Sequence, residues 1–166
     1  MSMDAIVLLK ADHHEVKALF SEFEKAGEGA HQRKSQLVEK MIELLTVHTY
    51  IENEVMYPQV RRLVPDVAGD ILESYEEHHV ADVLCAELAT MSPEDERFDA
   101  KTTVLIESVK HHIDEEEQGW FPKVRAGLGR KQLTEIGEQL LAAKKKAPHS
   151  PAQPSALKKT IDAVVR

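Results

Sequence analysis

Apolar residues recur along this chain at helical intervals. Ile6, Leu9, Val16, Phe20 and Phe23 fall three and four apart once His13 is counted between Leu9 and Val16. That is the inward stripe of an amphipathic helix over about residues 4–25. Gly27 and Gly29 then open a loop. A second helix is expected over about 33–63, with Leu37, Met41, Leu44, His48, Glu52 and Val55 inward. Pro58 falls late in it and predicts a kink or break. A third helix, over about 67–90, turns Ile71, Ser74, His78, Ala81, Cys85 and Leu88 inward. The neighbouring stripe through Leu72, Tyr75, His79, Val83 and Ala86 is nearly as apolar. Ser92 caps a fourth helix over about 94–125, Pro93 taking its first position and Leu105, Val109, His112 and Glu116 facing in. A shorter helix over 130–146 turns Leu133, Ile136, Leu140 and Leu141 inward, and its last turn carries Lys144, Lys145 and Lys146.

The chain repeats itself. Asp12-His13-His14 returns as Glu77-His78-His79, 65 residues on, and this repeat favours His78 over His79 as the inward residue. His48, Glu52, Tyr57-Pro58, Val60 and Arg61 return as His112, Glu116, Phe121-Pro122, Val124 and Arg125, all at an offset of 64. Two helical hairpins with short links cannot each bury an apolar face alone. The expected fold is all-α: an up-down-up-down antiparallel four-helix bundle with a short fifth helix. It takes residues 1–146, and Pro148, Pro151 and Pro154 mark 147–166 as a flexible tail.

Composition narrows the function. The formal charge of −8 gives no basic surface for nucleic acid. A single cysteine, Cys85, excludes an internal disulfide and a cysteine-rich zinc site. No apolar run is long enough to span a membrane. The start of the chain does not read as a signal peptide, so a cytoplasmic location is expected, as a monomer or weak homodimer.

The chemistry lies in the repeat. Residues four apart on a helix stack on one face, so His48 with Glu52 and His112 with Glu116 each offer an imidazole and a carboxylate to one point. Adding His13 and His78 puts six polar side chains in one layer of the bundle. A lone inward histidine is more often a satisfied core residue, but two buried carboxylates without partners would cost several kcal/mol each. Metal cations neutralise them and occupy the imidazole nitrogens. Six ligands exceed one tetrahedral zinc and suit two ions roughly 3.5–4 Å apart, with the glutamates bridging. Histidine and carboxylate suit iron, zinc or manganese.

Single His, His-x-x-x-Glu, single His, His-x-x-x-Glu, with an aromatic-Pro step after each pair, resembles the bacterial hemerythrin-like (HHE cation-binding) domains. The resemblance covers about residues 4–125. It implies a four-helix bundle holding a non-haem di-iron centre, and by motif position it assigns His13, His48, Glu52, His78, His112 and Glu116 as ligands. The oxygen-carrying hemerythrins add a fifth histidine on the third helix, where this chain has Ser74 and Asp82 at the spacing counted from His78. The expectation is therefore a di-iron protein that reacts with oxygen or hydrogen peroxide. An oxygen or iron sensor or carrier, and a structural metal bundle, stand as alternatives. Tyr75, one turn before His78, is the candidate catalytic residue, with weaker cases for Tyr50 and Tyr57. Asp12, Glu77 and Glu115 are expected to orient ligands or take protons.

Overall fold

The structure is a computed structural model that describes residues 4–151, and every regular element among them is helical. Helix α1 (Ala5–Lys25) leads to α2 (His31–Ile51), which runs on through a π-helical segment, Glu52–Met56, into α3 (Tyr57–Leu63). After a 3-10 turn, Pro65–Val67, comes α4 (Ala68–Leu88). Helix α5 (Phe98–Asp114) likewise runs through a π-helical segment, Glu115–Trp120, into α6 (Phe121–Gly127), and α7 (Arg130–Lys146) follows. The hairpins α1–α2 and α4–α5 pack into a four-helix bundle, with α7 against α1 and α2.

Local chemistry sets the ends. The Asp4 carboxylate accepts from the backbone N–H of Ile6 at 2.8 Å and of Val7 at 3.2 Å, closing the first turn of α1. Arg125 donates to the same carboxylate at 3.0 and 3.2 Å and ties the start of α1 to α6.

The kink expected at Pro58 takes the form of a widened turn. Proline offers no N–H, and its ring crowds the carbonyl four residues back. The helix responds by closing a wider ring: the Tyr57 N–H bonds to the Glu52 carbonyl, five residues back. Before Pro122 the Phe121 N–H bonds to the Glu116 carbonyl in the same way. Each turn shifts the helical register by one residue, so Met56 and Tyr57 are fully buried while Val55, expected inward, is half-buried. The fourth helix starts later than expected, at Phe98. Ser92 Oγ accepts from the Glu94 N–H at 3.3 Å, and Asp95 then holds the Arg97 N–H at 2.8 Å, so residues 92–97 spend their bonds on turns.

The core is two apolar blocks with a polar layer between them. One gathers Ile6, Leu9, Met56, Tyr57, Ile71, Trp120, Phe121 and, from α7, Leu133, Ile136 and Leu140. The other gathers Val16, Phe20, Met41, Leu45, Ala81, Cys85, Leu105 and Val109. The expected inward stripe of α4 is buried from Ile71 to Leu88, with Tyr75 as the buried member of its rival. Of the expected tail, Ala147 is buried and His149 reaches Glu43 at 2.9 Å, so these residues lie on the bundle. From residue 152 onward the tail lies outside the described residues.

Candidate metal centre

The polar layer contains His13, His48, Glu52, His78, His112 and Glu116, all buried and both glutamates fully so. His14 and His111 are exposed and His79 is half-buried. All four Nε2 atoms converge. His13 Nε2 lies 3.2 Å from His48 Nε2, and His78 Nε2 lies 3.2 Å from His112 Nε2.

The two glutamates divide their oxygens differently. Glu52 Oε1 pairs with His48 and stands 3.9 Å from His13, while its Oε2 stands 3.2 Å from His78 and 3.9 Å from His112. Glu116 Oε1 lies 3.3 Å from His13 and 3.1 Å from His112. Its Oε2 accepts a hydrogen bond from the Tyr57 hydroxyl at 2.9 Å. Two groups of donors within 4.8 Å of one another result: His13, His48, Glu52 and Glu116, and Glu52, His78 and His112. Glu52 belongs to both.

A second ring of polar atoms fixes the imidazoles. Asp12 holds His48 Nδ1 at 3.0 Å, Glu77 holds His112 Nδ1 at 3.0 Å and Asn53 holds His78 Nδ1 at 2.8 Å. Glu117 stands 3.5 Å from His13 Nδ1. A partner on Nδ1 directs the Nε2 lone pair inward. The pattern follows the repeat. The acid before each single histidine, Asp12 or Glu77, reaches the histidine of the paired motif, and the residue after each glutamate, Asn53 or Glu117, reaches the single histidine. Asp12 and Glu77 were expected in this role; Asn53 and Glu117 were not, although carrying the offset of 64 one residue further finds both. Glu115 instead pairs with exposed His111 at 3.0 Å.

The hydroxyl at the centre belongs to Tyr57. Besides Glu116 it lies 3.0 Å from His78 Nε2 and 3.4 Å from His112 Nε2. Tyr75, the expected candidate, packs edge-on against Tyr57 with ring centroids 5.2 Å apart. In an unbroken α-helix Tyr57 would point roughly 140° away from Glu52. The π turn, with its five-residue hydrogen bond, brings it back over that carboxylate. The repeat then breaks its own symmetry. Tyr57 stacks on His78, and Phe121, its counterpart, stacks on His13 with no hydroxyl to offer.

Charge balance explains the protonation of the centre. Burial opposes a charge on Glu52, yet the charge of His48 and the imidazoles of His112 and His13 outweigh it and hold the carboxyl well below its usual range. Burial opposes the His48 cation too, but Glu52 and Asp12 push it up to about 10. His13 and His112 are likewise raised, against burial, mainly by Glu116. His78 is lowered, because burial wins and His112 repels its proton. Burial and the charges of Glu116 and Glu52 push the Tyr57 phenol well above 10, so it keeps its proton.

Protons alone leave this arrangement incomplete. Among the described residues Glu52 Oε1, Glu52 Oε2 and Glu116 Oε1 are buried with no well-formed hydrogen bond, although imidazole nitrogens surround them. Buried carboxylate oxygens are normally satisfied. Inward-facing Nε2 atoms and unsatisfied carboxylate oxygens, with no thiolate, form a donor set that cations complete.

A cavity of about 160 Å³ adjoins the centre. His13, His48, His78 and His112 form part of its wall, while Glu52, Glu116 and Tyr57 do not line it.

The fold and the layer together define a helical bundle built around a buried cluster of histidines and glutamates that could hold cations. The chain belongs to the hemerythrin family: the family model described as the Hemerythrin HHE cation binding domain matches residues 4–124. A solved Hemerythrin HHE cation binding domain-containing protein from Mycobacterium kansasii superposes with a TM-score of 0.70 at 20% identity, over 86% of each chain. A curated relative from Nostoc sp. strain PCC 7120, named a DNA nickase, is 28% identical over 139 residues. That match takes in 84% of this chain but 38% of the relative, so the chain spans well under half of the relative's length. No helix among the described residues is long and apolar enough to cross a membrane.

Proposed function

We propose that the chain binds two iron ions through His13, His48, Glu52, His78, His112 and Glu116, and that this centre reacts with hydrogen peroxide or oxygen. The observation that carries the reading is Glu52: one oxygen faces His13 and His48 and the other faces His78 and His112. A carboxylate shared in this way suits two adjacent cations rather than one. Zinc or manganese would fit the same donors. Held by these residues, two irons would supply the pair of electrons, and accept them back, that converting two peroxide molecules into one oxygen and two waters requires.

The chain's own groups set the conditions. Asp12, Asn53 and Glu77 orient the imidazoles of His48, His78 and His112, and Glu117 stands near that of His13. The Tyr57 hydroxyl holds a proton at Glu116 Oε2, within reach of His78. From there it can hydrogen-bond a small molecule held at the centre, in place of Tyr75, which the sequence put forward as the catalytic residue. The apolar block around Trp120 and Phe121 keeps water from that side.

The name of the Nostoc relative is not carried over to DNA cleavage here, because a formal charge of −8 does not favour a phosphate backbone. Val7, Leu63, Val80 and Val104, the exposed large hydrophobics among the described residues, sit on four different helices, in keeping with a monomer or weak homodimer.

The test is peroxide loss and oxygen release by iron-loaded protein, against metal-free protein and free iron at equal concentration. The reading expects the loaded protein to be faster than both. A loaded protein no faster than free iron, which instead forms an oxygen adduct reversed under vacuum, would establish a carrier.

A further inference from the structure

The cavity beside the centre is larger than a packing defect, and although its mouth is charged and partly open, the surface inside it is mostly apolar. Val16, Leu45, Val47, Ala81, Val109 and Ile113 supply its interior, from α1, α2, α4 and α5. Protein interiors hold few voids larger than a water molecule. A water there would need two to four polar partners. The polar atoms nearest the centre are already engaged, with Asp12 on His48, Glu77 on His112 and Lys144 on Asp12 at 2.7 Å. An engineered apolar cavity of roughly 150 Å³ stays dry and takes up benzene.

We infer that this cavity is a binding chamber for a small uncharged molecule with an apolar body of about benzene size, seated against the histidine side of the metal centre. The inference rests on the proposed peroxide chemistry only for its consequence: the substrates of the centre include organic hydroperoxides, whose apolar part the chamber holds, each reduced to its alcohol and one water while one hydrogen peroxide gives up the two electrons and leaves as oxygen. The chamber itself depends on the packing of six side chains and not on any metal. Its charged rim bears this out as selection rather than binding. Asp12, Glu15, Glu43 and Glu77 line it with Lys144 and His149, four acids against one lysine and one histidine. A negatively charged substrate is repelled there and a neutral one is not.

Toluene is the probe, added to the full chain as purified, with binding followed by NMR shifts of the valine, leucine and isoleucine methyl groups. The expected result is saturable binding below millimolar concentration, with shifts largest at Val16, Val109 and Ile113, and none for benzoate. Ala81→Phe and Val47→Phe, which fill the chamber from two sides, should each weaken toluene binding at least tenfold while metal content stays as in the parent chain. Cumene hydroperoxide should then show a KM at least tenfold higher in both variants. Toluene binding with no consumption of either peroxide would leave the chamber standing and overturn the proposed reaction. Absence of toluene shifts, or equal binding in both filled variants, would overturn the chamber.

Discussion

At the scale of single residues the account turns on Tyr57. Its phenol is fully buried, keeps its proton because burial and two nearby carboxylates push its pKa up, and donates to Glu116. Tyr57→Phe removes that hydroxyl and leaves the six donors untouched. The expected outcome is unchanged iron content with peroxide consumption slowed on the order of 100-fold, the usual worth of a positioned proton donor. Tyr75→Phe should change the rate far less, since the Tyr75 ring meets the centre only through Tyr57. Steady-state rates on metal-analysed samples check both. The six donors were legible in the sequence because α-helical spacing and the repeat bring them to one layer. Tyr57 was legible only as a weaker candidate than Tyr75, because a widened turn interrupts the period of 3.6 on which that reading depended. Asn53 and Glu117 were legible in principle, each one residue beyond the motif.

At the scale of elements, α4 is the helix whose register the sequence left closest to undecided. Its two stripes are almost equally apolar, so hydrophobicity could not choose between them and only the repeat could. Burial of His78 with Ser74 and Cys85 follows the stripe that the repeat favours. The same helix carries an unfavourable charge. Burial raises Asp82 to about 6, above its ordinary 3.8, and burial, with the charge of Asp82 second, pushes the Cys85 thiol up to about 12. A carboxyl whose folded pKa lies above its unfolded one binds more protons when folded. It therefore subtracts stability as pH rises from about 4 to about 6, and the loss is complete above that. Asp82→Asn should stabilise the protein by about 1–3 kcal/mol at pH 8 and by nothing below pH 4. Urea unfolding at the two pH values measures the difference. Cys85, buried and with its thiol held protonated, should resist alkylation in the folded chain at pH 8.

At the scale of the whole molecule, two apolar blocks are joined through a layer that is stable only when its charges are balanced. The bundle, its five long helices and the position of the layer were legible because helical periodicity is a local property. The cavity was not, since it arises from how side chains of four helices fail to fill a space. Without metal the layer balances itself with imidazolium protons. The raised pKa of His48 then adds stability that is fully present below about 6.5 and is lost as pH rises toward about 10. Metal-free protein should lose stability over that window and metal-loaded protein should not, because the cations replace the protons. Chelation at pH 8 should lower stability by roughly 4 kcal/mol if the metal had been present at a thousand times its dissociation constant. Metal uptake near pH 7 should release protons from His13, His48 and His112, which an indicator dye in weak buffer reads directly. The most direct test of the account is metal content per chain by elemental analysis of protein loaded with iron and freed of excess. Two irons are expected for the parent chain and for His14→Ala, His79→Ala and His111→Ala, and fewer than one for Glu52→Ala, since both ions lose a shared ligand. A parent chain that holds a single ion, or a Glu52→Ala chain that still holds two, would contradict it.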